Sequence, residues 1–394
     1  MASNKDNILY IARDIDRAMG KEPIGNYFII TNSTPYSQEI KNRYPDNVFL
    51  VKSEEILDTY ELLLLDEVKS IIKDKKAKIL VFKNTIHIEN LCKENDIELL
   101  NPSAELSEKI ENKITQIIWL EELADMLPEH FISLVKDIKW NKKPFVLQWS
   151  HGHTGDGTIL IQSEADLISL KEKFSLREAK VTEFINGPVF TVNIIATSDI
   201  ILLGNISYQI TGILPFTENI FSTIGNDWSL PHTILTENQI KSFESIAEKI
   251  GKKMQKNNWR GLFGIDVIYN SEKDELRLIE INARQPASTS YESELQKQID
   301  PDGITTFDAH LLSLMNLPIN SALVQINDGA QIVQRVTKKS YESDPVKLIK
   351  AGYKVIIYNN TKSNSDLIRI QSAKGIMETH MKLNKRGKEI LDLI

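Results

Sequence analysis

Apolar and polar residues alternate in two different patterns along the chain, and the change from one pattern to the other predicts a boundary between domains. Between residues 26 and 125, strand-like stretches such as NYFIIT and AKILVF alternate with longer stretches of helical spacing. This alternation predicts a parallel sheet covered by helices. The first of these strands ends in TNSTPYS, which contains no Gly-x-Gly turn, so the sequence does not predict a dinucleotide site there.

From about Lys142 the apolar runs become short and turns separate them, which predicts antiparallel pairs. The stretch LFGIDVIYN, the turn NSEKDE and the stretch LRLIEINAR then predict a hairpin. After Pro318, several short strand candidates predict a small separate β-rich lobe. We therefore predict an α/β (α+β) protein with an amino-terminal parallel α/β domain, a central antiparallel part and this lobe. The predicted domains are 1–105, 106–318 with a lid subdomain at about 140–195, and 319–394.

Composition and charge narrow the functional classes. The 394 residues are 41% hydrophobic and 26% charged, with a net charge of -7, which argues against a surface that binds nucleic acid. The single cysteine, Cys92, excludes an internal disulfide or a thiolate metal cluster. The amino-terminal stretch MASNKDNILYIARDIDRAMGKE is interrupted by charges, so it does not resemble a signal peptide, and no apolar run is long enough for a membrane span. We expect a cytoplasmic protein that binds neither nucleic acid nor membranes.

Polar residues occupy one face of the predicted hairpin. Glu280, Asn282 and Arg284 occur at every second position of an apolar strand, so they point to the same side, and Asp266 lies on the preceding strand. Burying such a row is costly unless its charges have partners. Carboxylate and amide oxygens suit Mg²⁺, and a guanidinium suits phosphate or a developing oxyanion. The alternative is a structural ion pair between Arg284 and one carboxylate.

Two further motifs are less specific. The stretch QWSHGHTGDGTILI places glycines between two strand candidates, where backbone N–H groups could surround phosphate oxygens. It lacks the Gly-Lys-Ser/Thr ending of a P-loop and precedes a strand, so it is not a Walker site, and taken alone a glycine-rich hairpin turn explains it better. The stretch VTEFING predicts a strand followed by a turn, and ordinary strand pairing is its simpler explanation.

Taken together and in this order, the motifs resemble those of the ATP-grasp superfamily. The resemblance is carried by EKIENK, the glycine-rich strand-loop-strand, TEFI-NG, GIDV and IEINAR, and is nearest in layout to the carboxylate-amine ligase and biotin-carboxylase-like branches. It implies that the partners of the polar row are ATP phosphates and Mg²⁺, with Mn²⁺ as an alternative ion.

The resemblance also implies roles for individual residues. It implies three metal ligands, Asp266, Glu280 and Asn282. It implies that Arg284 is the catalytic, anion-stabilising arginine and that Lys113 reaches the phosphates, whereas the alternative for Lys113 is a solvated lysine on a helix. The implied glycine-loop contacts to the nucleotide are Gly152, His153, Thr154, Gly155, Gly157 and Thr158. The implied hinge, whose main chain receives adenine, is Glu183, Phe184 and Ile185.

The sequence departs from the family pattern at two places. Gln148 stands where the strand before the glycine loop normally supplies a nucleotide-binding lysine or arginine, so another cation would have to substitute. After the hinge, the apolar run PVFTVN replaces an acidic ribose contact, and Asn193 is a candidate replacement.

The function implied by the resemblance is the ATP-dependent joining of a small-molecule carboxylate to an amine through an acylphosphate, with release of ADP and phosphate. Two alternatives stay open: another ATP-grasp chemistry, such as carboxylation or phosphorylation of a hydroxyl, and a non-catalytic ATP-binding regulatory protein. A homodimer is also left open. The stretch ISYQITGILPFTENIFSTIGNDW is either a lid or an ordinary connecting loop.

Overall fold

A computed structural model describes residues 6–150, 157–338, 344–358 and 360–394. Its amino-terminal part is a parallel sheet covered by helices, as the sequence pattern predicts. The strands are β1 (Asn7–Ala12), β2 (Tyr27–Asn32), β3 (Val48–Val51) and β4 (Ala77–Val81), in the order β3-β2-β1-β4. The helices are α1 (Pro35–Arg43), α2 (Thr59–Leu64), α3 (Asp66–Lys75) and α4 (Ile86–Glu94), with a short 3-10 helix at Ile15–Ala18.

Strand β1, which lies between β2 and β4 in this sheet, is not among the strands predicted from the sequence pattern. Five of its six residues are buried, because both faces of a parallel strand are covered. The charged residues on either side of this short apolar run, such as Lys5, Asp6 and Arg13, hide it in the sequence.

A small antiparallel sheet follows. Helices α5 (Ala104–Glu111) and α6 (Thr115–Leu120) lead to it, with short 3-10 helices at Glu121–Met126 and Val135–Asp137. Its strands are β5 (His130–Leu134), β6 (Phe145–Gln148), β7 (Thr158–Ile161) and β8 (Glu178–Glu183), in the order β5-β8-β6-β7, and α7 (Glu164–Phe174) joins β7 to β8. Apolar residues of β6, β7, β8 and α7 form a separate core under one face of this sheet.

The largest element is a nine-stranded sheet. Its strands from the central part are β9 (Val189–Ala196), β10 (Ile201–Leu203), β11 (Ser207–Thr211), β12 (Thr223–Asp227), β13 (Gly261–Asn270) and β14 (Glu275–Asn282). The intervening and following helices are α8 (Pro231–Ile234), α9 (Glu237–Lys256), α10 (Thr289–Ile299) and α11 (Thr306–Leu314). Helix α9 starts with a capping box in which Thr236 and Gln239 each accept a hydrogen bond from the other's backbone N–H. It buries Phe243, Ala247 and Ile250 in the apolar core that it forms with the sheet, the largest core cluster among the described residues.

The carboxyl-terminal strands differ from the predicted separate lobe, because they continue this sheet. They are β15 (Ala330–Arg335), β16 (Lys354–Ile357) and β17 (Asp366–Ser372), with α12 (Pro345–Lys350) between the first two. The strand order is β14-β13-β9-β11-β12-β15-β17-β16, with β10 beside β9. The chain then forms β18 (Met377–Thr379), β19 (Lys382–Leu383) and α13 (Lys385–Leu393). The buried carboxylate of Asp227 accepts hydrogen bonds from the backbone N–H groups of Ile376 and Met377, at 2.6 and 2.8 Å, and so holds this segment against β12.

None of the helices within the described ranges combines the length and the apolar character that a membrane crossing requires.

Candidate active site

The predicted hairpin is formed by β13 and β14, and its register brings the polar residues together. Asp266 pairs directly with Glu280, and Gly264 pairs with Asn282, so the two carboxylates and the amide share one face. The amide nitrogen of Asn282 lies 3.3 Å from the Asp266 carboxylate. Arg284 continues the row, because its Nη1 donates to the Asn282 side-chain oxygen at 2.8 Å.

Lys113 reaches this row from the turn between α5 and α6. Its backbone N–H donates to the Ser150 carbonyl at 3.0 Å, which fixes the turn to the end of β6. Its ammonium forms an ion pair with Glu280, and the whole residue is only 6% exposed. Lys113 is therefore not a solvated lysine on a helix surface.

The two carboxylates of the hairpin have different electrostatic surroundings. Burial and the neighbouring charge of Glu280 raise the pKa of Asp266 to about 6. Burial also acts to raise the pKa of Glu280, but the charge and hydrogen bond of Lys113, together with Arg284, outweigh it and hold that pKa below its usual range. Glu280 is thus the carboxylate that stays ionised, and Asp266 is the one that a bound cation would have to deprotonate.

These residues fit a magnesium ion that also binds phosphate. No group of three His, Cys, Asp or Glu side chains suitable for a metal occurs in the described part of the chain. Mg²⁺ does not need one, because it is usually held by one or two carboxylates and completed by phosphate oxygens and water. Asp266, Glu280 and Asn282 supply such an incomplete oxygen set.

Arg284 is positioned by a carboxylate outside the hairpin. Its Nε lies 3.5 Å from Glu111 at the end of α5, and Lys83 forms a second ion pair with the same carboxylate. The structural alternative, in which Arg284 pairs with Asp266 or Glu280, does not occur. One carboxylate is shared by two cations, so this part of the site keeps an excess of positive charge.

The predicted hinge begins at Glu183, the last residue of β8. The Glu183 backbone N–H donates to the Glu129 carbonyl at 3.0 Å, and its carboxylate lies 3.3 Å from Lys273 in the hairpin turn. At Gly187 an added Cβ would lie 2.0 Å from the Tyr269 carbonyl, so glycine allows the hinge to pass directly over β13. The hinge is therefore fixed to the hairpin that carries Asp266.

A single cavity of about 730 Å³ connects these features. This volume is within the range of sites that bind small molecules and cofactors. Its lining includes all of the predicted site residues that the structure describes, namely Lys113, Gln148, Gly157, Thr158, Glu183, Phe184, Ile185, Asp266, Glu280, Asn282 and Arg284. The remaining predicted residues, Gly152, His153, Thr154 and Gly155, lie outside the described residues.

Lys180 is a cavity residue on β8 that the sequence motifs do not indicate, and it is 1% exposed. Burial, and then the charge of Lys113, lower the pKa of Lys180 to about 7. Its signal in the sequence was the alternation of AKVTE, in which Ala179 and Val181 face the core and Lys180 and Thr182 face the other side. A polar strand face normally indicates solvent, so the sequence alone did not mark it as a site.

The cavity also extends towards the amino-terminal domain and the carboxyl-terminal strands. Its lining there includes Arg17, Phe82, Arg335 and Arg369. The guanidinium carbon of Arg17 lies 4.8 Å from the centre of the Phe82 ring, and that of Arg284 lies 5.9 Å from the same centre. Arg335 and Arg369 form ion pairs with Asp366, whereas within the described residues the Arg17 guanidinium has no ion pair and no hydrogen bond.

Two further sequence predictions concern Asn193 and the stretch from residue 206 to residue 228. Asn193 is not among the residues that line the cavity, and its amide nitrogen donates to Ser288 at 3.1 Å and to Glu292 in a buried network, so nothing in the geometry supports a ribose contact there. The proposed lid between residues 206 and 228 is mostly β11, β12 and their connection, and Gln209, Ile220 and Phe221 form part of the cavity wall.

Comparison with known proteins agrees with this geometry. Residues 110–288 match a family model described as an ATP-grasp domain. Over these residues the chain is similar to ATP-grasp domains. The match includes Lys113, the hinge and the β13-β14 hairpin, so the resemblance inferred from the sequence motifs is confirmed. No curated protein matches the chain by sequence.

Solved structures extend the likeness beyond the ATP-grasp domain to nearly the whole chain. N5-carboxyaminoimidazole synthetase from Staphylococcus aureus with ADP has 12% identity and a TM-score of 0.67, covering 98% of this chain and 96% of that one. The Aspergillus clavatus synthase with ADP and 5-aminoimidazole ribonucleotide has 14% identity and a TM-score of 0.67, covering 93% and 94%. Pyruvate carboxylase from Rhizobium etli has 13% identity and a TM-score of 0.64, covering 94% of this chain and 36% of that one. At these identities the likeness concerns the fold.

Proposed function

We propose that the protein is an ATP-dependent ligase that joins a carboxylate to an amine and releases ADP and phosphate. The observation that carries this proposal is the convergence of Lys113, the hinge and the row Asp266, Glu280, Asn282 and Arg284 on one cavity. Cations, oxygen ligands and a hinge edge in one enclosed site suit the phosphates, the metal and the adenine of ATP.

In the proposed site, adenine lies at the main chain of Glu183 to Ile185, and the phosphates extend towards Lys113 and the hairpin. Asp266, Glu280 and Asn282 hold Mg²⁺, which when bound neutralises charge on the transferring phosphoryl group. Mn²⁺ would fit the same oxygen ligands. The described parts of the glycine loop, Gly157 and Thr158, line the same cavity, which supports their proposed place near the phosphates.

The proposed reaction has two steps. A carboxylate oxygen attacks the γ-phosphorus, the bond to the bridging β,γ-oxygen breaks, and ADP leaves. The amine then attacks the acyl carbon of the acylphosphate, phosphate leaves, and the nitrogen loses a proton. Arg284 donates to the charge that develops on the phosphoryl oxygens in both steps, and Asn282 and Glu111 hold its guanidinium in place.

The acid substrate is proposed to bind next to Arg284, at Arg17 and Phe82. Around that ring Arg17, Lys83 and Arg284 have only one carboxylate, Glu111, as an ion-pair partner within the described residues. Excess positive charge in a partly enclosed site favours an anion.

The test is product analysis. The purified protein with MgATP would be screened against small carboxylic acids, including bicarbonate and amino acids, with and without amines, and ADP release would be followed by a coupled assay. Hydroxylamine should trap the activated acyl group as a hydroxamate. Release of AMP and pyrophosphate would contradict an acylphosphate mechanism. Nucleotide binding without turnover on any acid would favour the non-catalytic alternative, for which Gln148 is the motivating residue.

A further inference from the structure

The neutral residue in the phosphate-binding strand has a charged partner on the neighbouring strand. Gln148 is the last residue of β6, and in the antiparallel pairing of β6 with β8 it lies directly opposite Lys180. Residues directly opposite each other in such a pair project from the same face of the sheet and lie about 5 Å apart at Cβ. A lysine at position 180 can therefore reach nearly the same volume as a lysine at position 148.

Lys180 is buried without an ion-pair partner of its own among the described residues. It is 1% exposed, and its side chain makes no ion pair or hydrogen bond with any residue in the described ranges. The opposite face of β8 is packed into the core through Ala179 and Val181, so the ammonium can only point into the cavity. Lys113 lies in the same cavity and repels it, whereas Glu280 attracts it but is already ion-paired with Lys113.

Such an arrangement is unfavourable in the empty protein. A buried ammonium without a partner costs several kcal/mol, and methionine would fill the same space without that cost. The cost is removed if an anion occupies the cavity. The two lysines then flank an anionic group of the kind that a nucleotide phosphate presents.

We propose that Lys180 supplies the phosphate-binding charge that Gln148 lacks, so that the second phosphate-binding cation of this site has moved across one strand pair from β6 to β8. This inference rests on the proposed function in one respect, namely that the cavity holds ATP. Under this proposal Lys180 binds the nucleotide phosphates, and Gln148 is an uncharged neighbour opposite it.

The experiment compares MgADP with adenosine by isothermal titration calorimetry, because only MgADP carries the phosphates. Lys180→Gln should weaken MgADP binding by about 10- to 100-fold and leave adenosine binding unchanged. The exchanged variant Gln148→Lys/Lys180→Gln should recover most of the MgADP affinity, because it returns the charge to the opposite position of the same strand pair. Lys173→Gln, at an exposed lysine of α7 outside the cavity, is the matched control.

A second variant separates binding from folding. Lys180→Met should raise the melting temperature of the empty protein, because it removes a buried charge, and should still weaken MgADP binding. Equal MgADP affinity in wild type and Lys180→Gln would overturn the inference while leaving the proposed function intact. Equal losses for MgADP and adenosine would also overturn it, since they indicate a structural role. Failure of the wild-type protein to bind MgADP would overturn both.

Discussion

Replacing Glu280 by glutamine tests the metal and nucleotide site most directly. The substitution keeps the shape of the side chain but removes one of two carboxylates opposite each other in the β13-β14 register, and it leaves Lys113 without its ion-pair partner. Loss of a charged metal ligand and its hydrogen bonds corresponds to about 3 kcal/mol, or about 100-fold in the dissociation constant of MgADP.

The expected change in thermal stability follows from mass action. At an MgADP concentration 100 times the wild-type dissociation constant, wild type gains about 2.7 kcal/mol, whereas a variant with 100-fold weaker binding gains about 0.4 kcal/mol. With about 2.1 cal/mol/K of unfolding entropy per residue and 394 residues, these gains correspond to melting-temperature shifts of about 3 °C and about 0.5 °C.

Differential scanning fluorimetry with and without MgADP measures both shifts. The matched control is Glu275→Gln on the same strand, which removes a carboxylate that pairs with Arg277 at 2.7 Å but does not line the cavity. The control should keep the full MgADP shift. If Glu280→Gln keeps it as well, Glu280 does not bind the metal or the nucleotide and the assignment of the hairpin face is wrong.

Three further predictions concern catalysis and stability. Arg284→Ala should lower turnover by about 100-fold or more but weaken MgADP binding less, which steady-state kinetics and calorimetry would separate; equal losses in both would refute a role specific to the transition state. Burial lowers the pKa of His310 to about 3, whereas the same side chain in the unfolded chain has a pKa near 6.5. As the pH falls below about 6.5 the unfolded chain binds the proton first, so the free energy of unfolding should decrease, by about 2 kcal/mol by pH 5. Urea unfolding at pH 6.5 and 5 should show that His310→Asn, which keeps an acceptor for the Leu262 N–H, has a smaller pH dependence, and an unchanged dependence would contradict the assignment. Asp227→Ala should destabilise the protein by about 3 to 5 kcal/mol, because two backbone N–H groups around Ile376 lose a buried acceptor, and hydrogen exchange there should rise more than in β1.

The sequence predicts the hairpin and the common face of its polar residues because the information is local. The period of two in Glu280, Asn282 and Arg284 fixes their common face, and a short turn fixes the partner strand, so Asp266 could be placed opposite them. The site residues that the structure describes converge as the motifs indicate. Their assignment to metal, phosphate and adenine stays a prediction.

What the sequence does not predict depends on pairing between distant segments. The continuation of the large sheet from β12 to β15 joins residues about 100 positions apart, and strand patterns do not specify such partners. Lys180 could not be recognised for the same reason, because its position opposite Gln148 follows from the pairing of β6 with β8. In the amino-terminal sheet, β1 was missed because a buried strand of six residues carries too short a pattern.

Because the nine-stranded sheet includes strands beyond residue 288, a fragment that folds on its own is expected to be longer than the matched residues 110–288. A protein cut after residue 288 would expose the edge of β12, with unpaired N–H and C=O groups where β15 normally binds, and would be expected to aggregate. The same edge suggests a split protein. Fragment 1–318 exposes this edge too, so fragments 1–318 and 319–394 should be produced together in one cell, where β15 can add to β12 before the free edge aggregates, and recovery of the cavity would then report the association of the two halves.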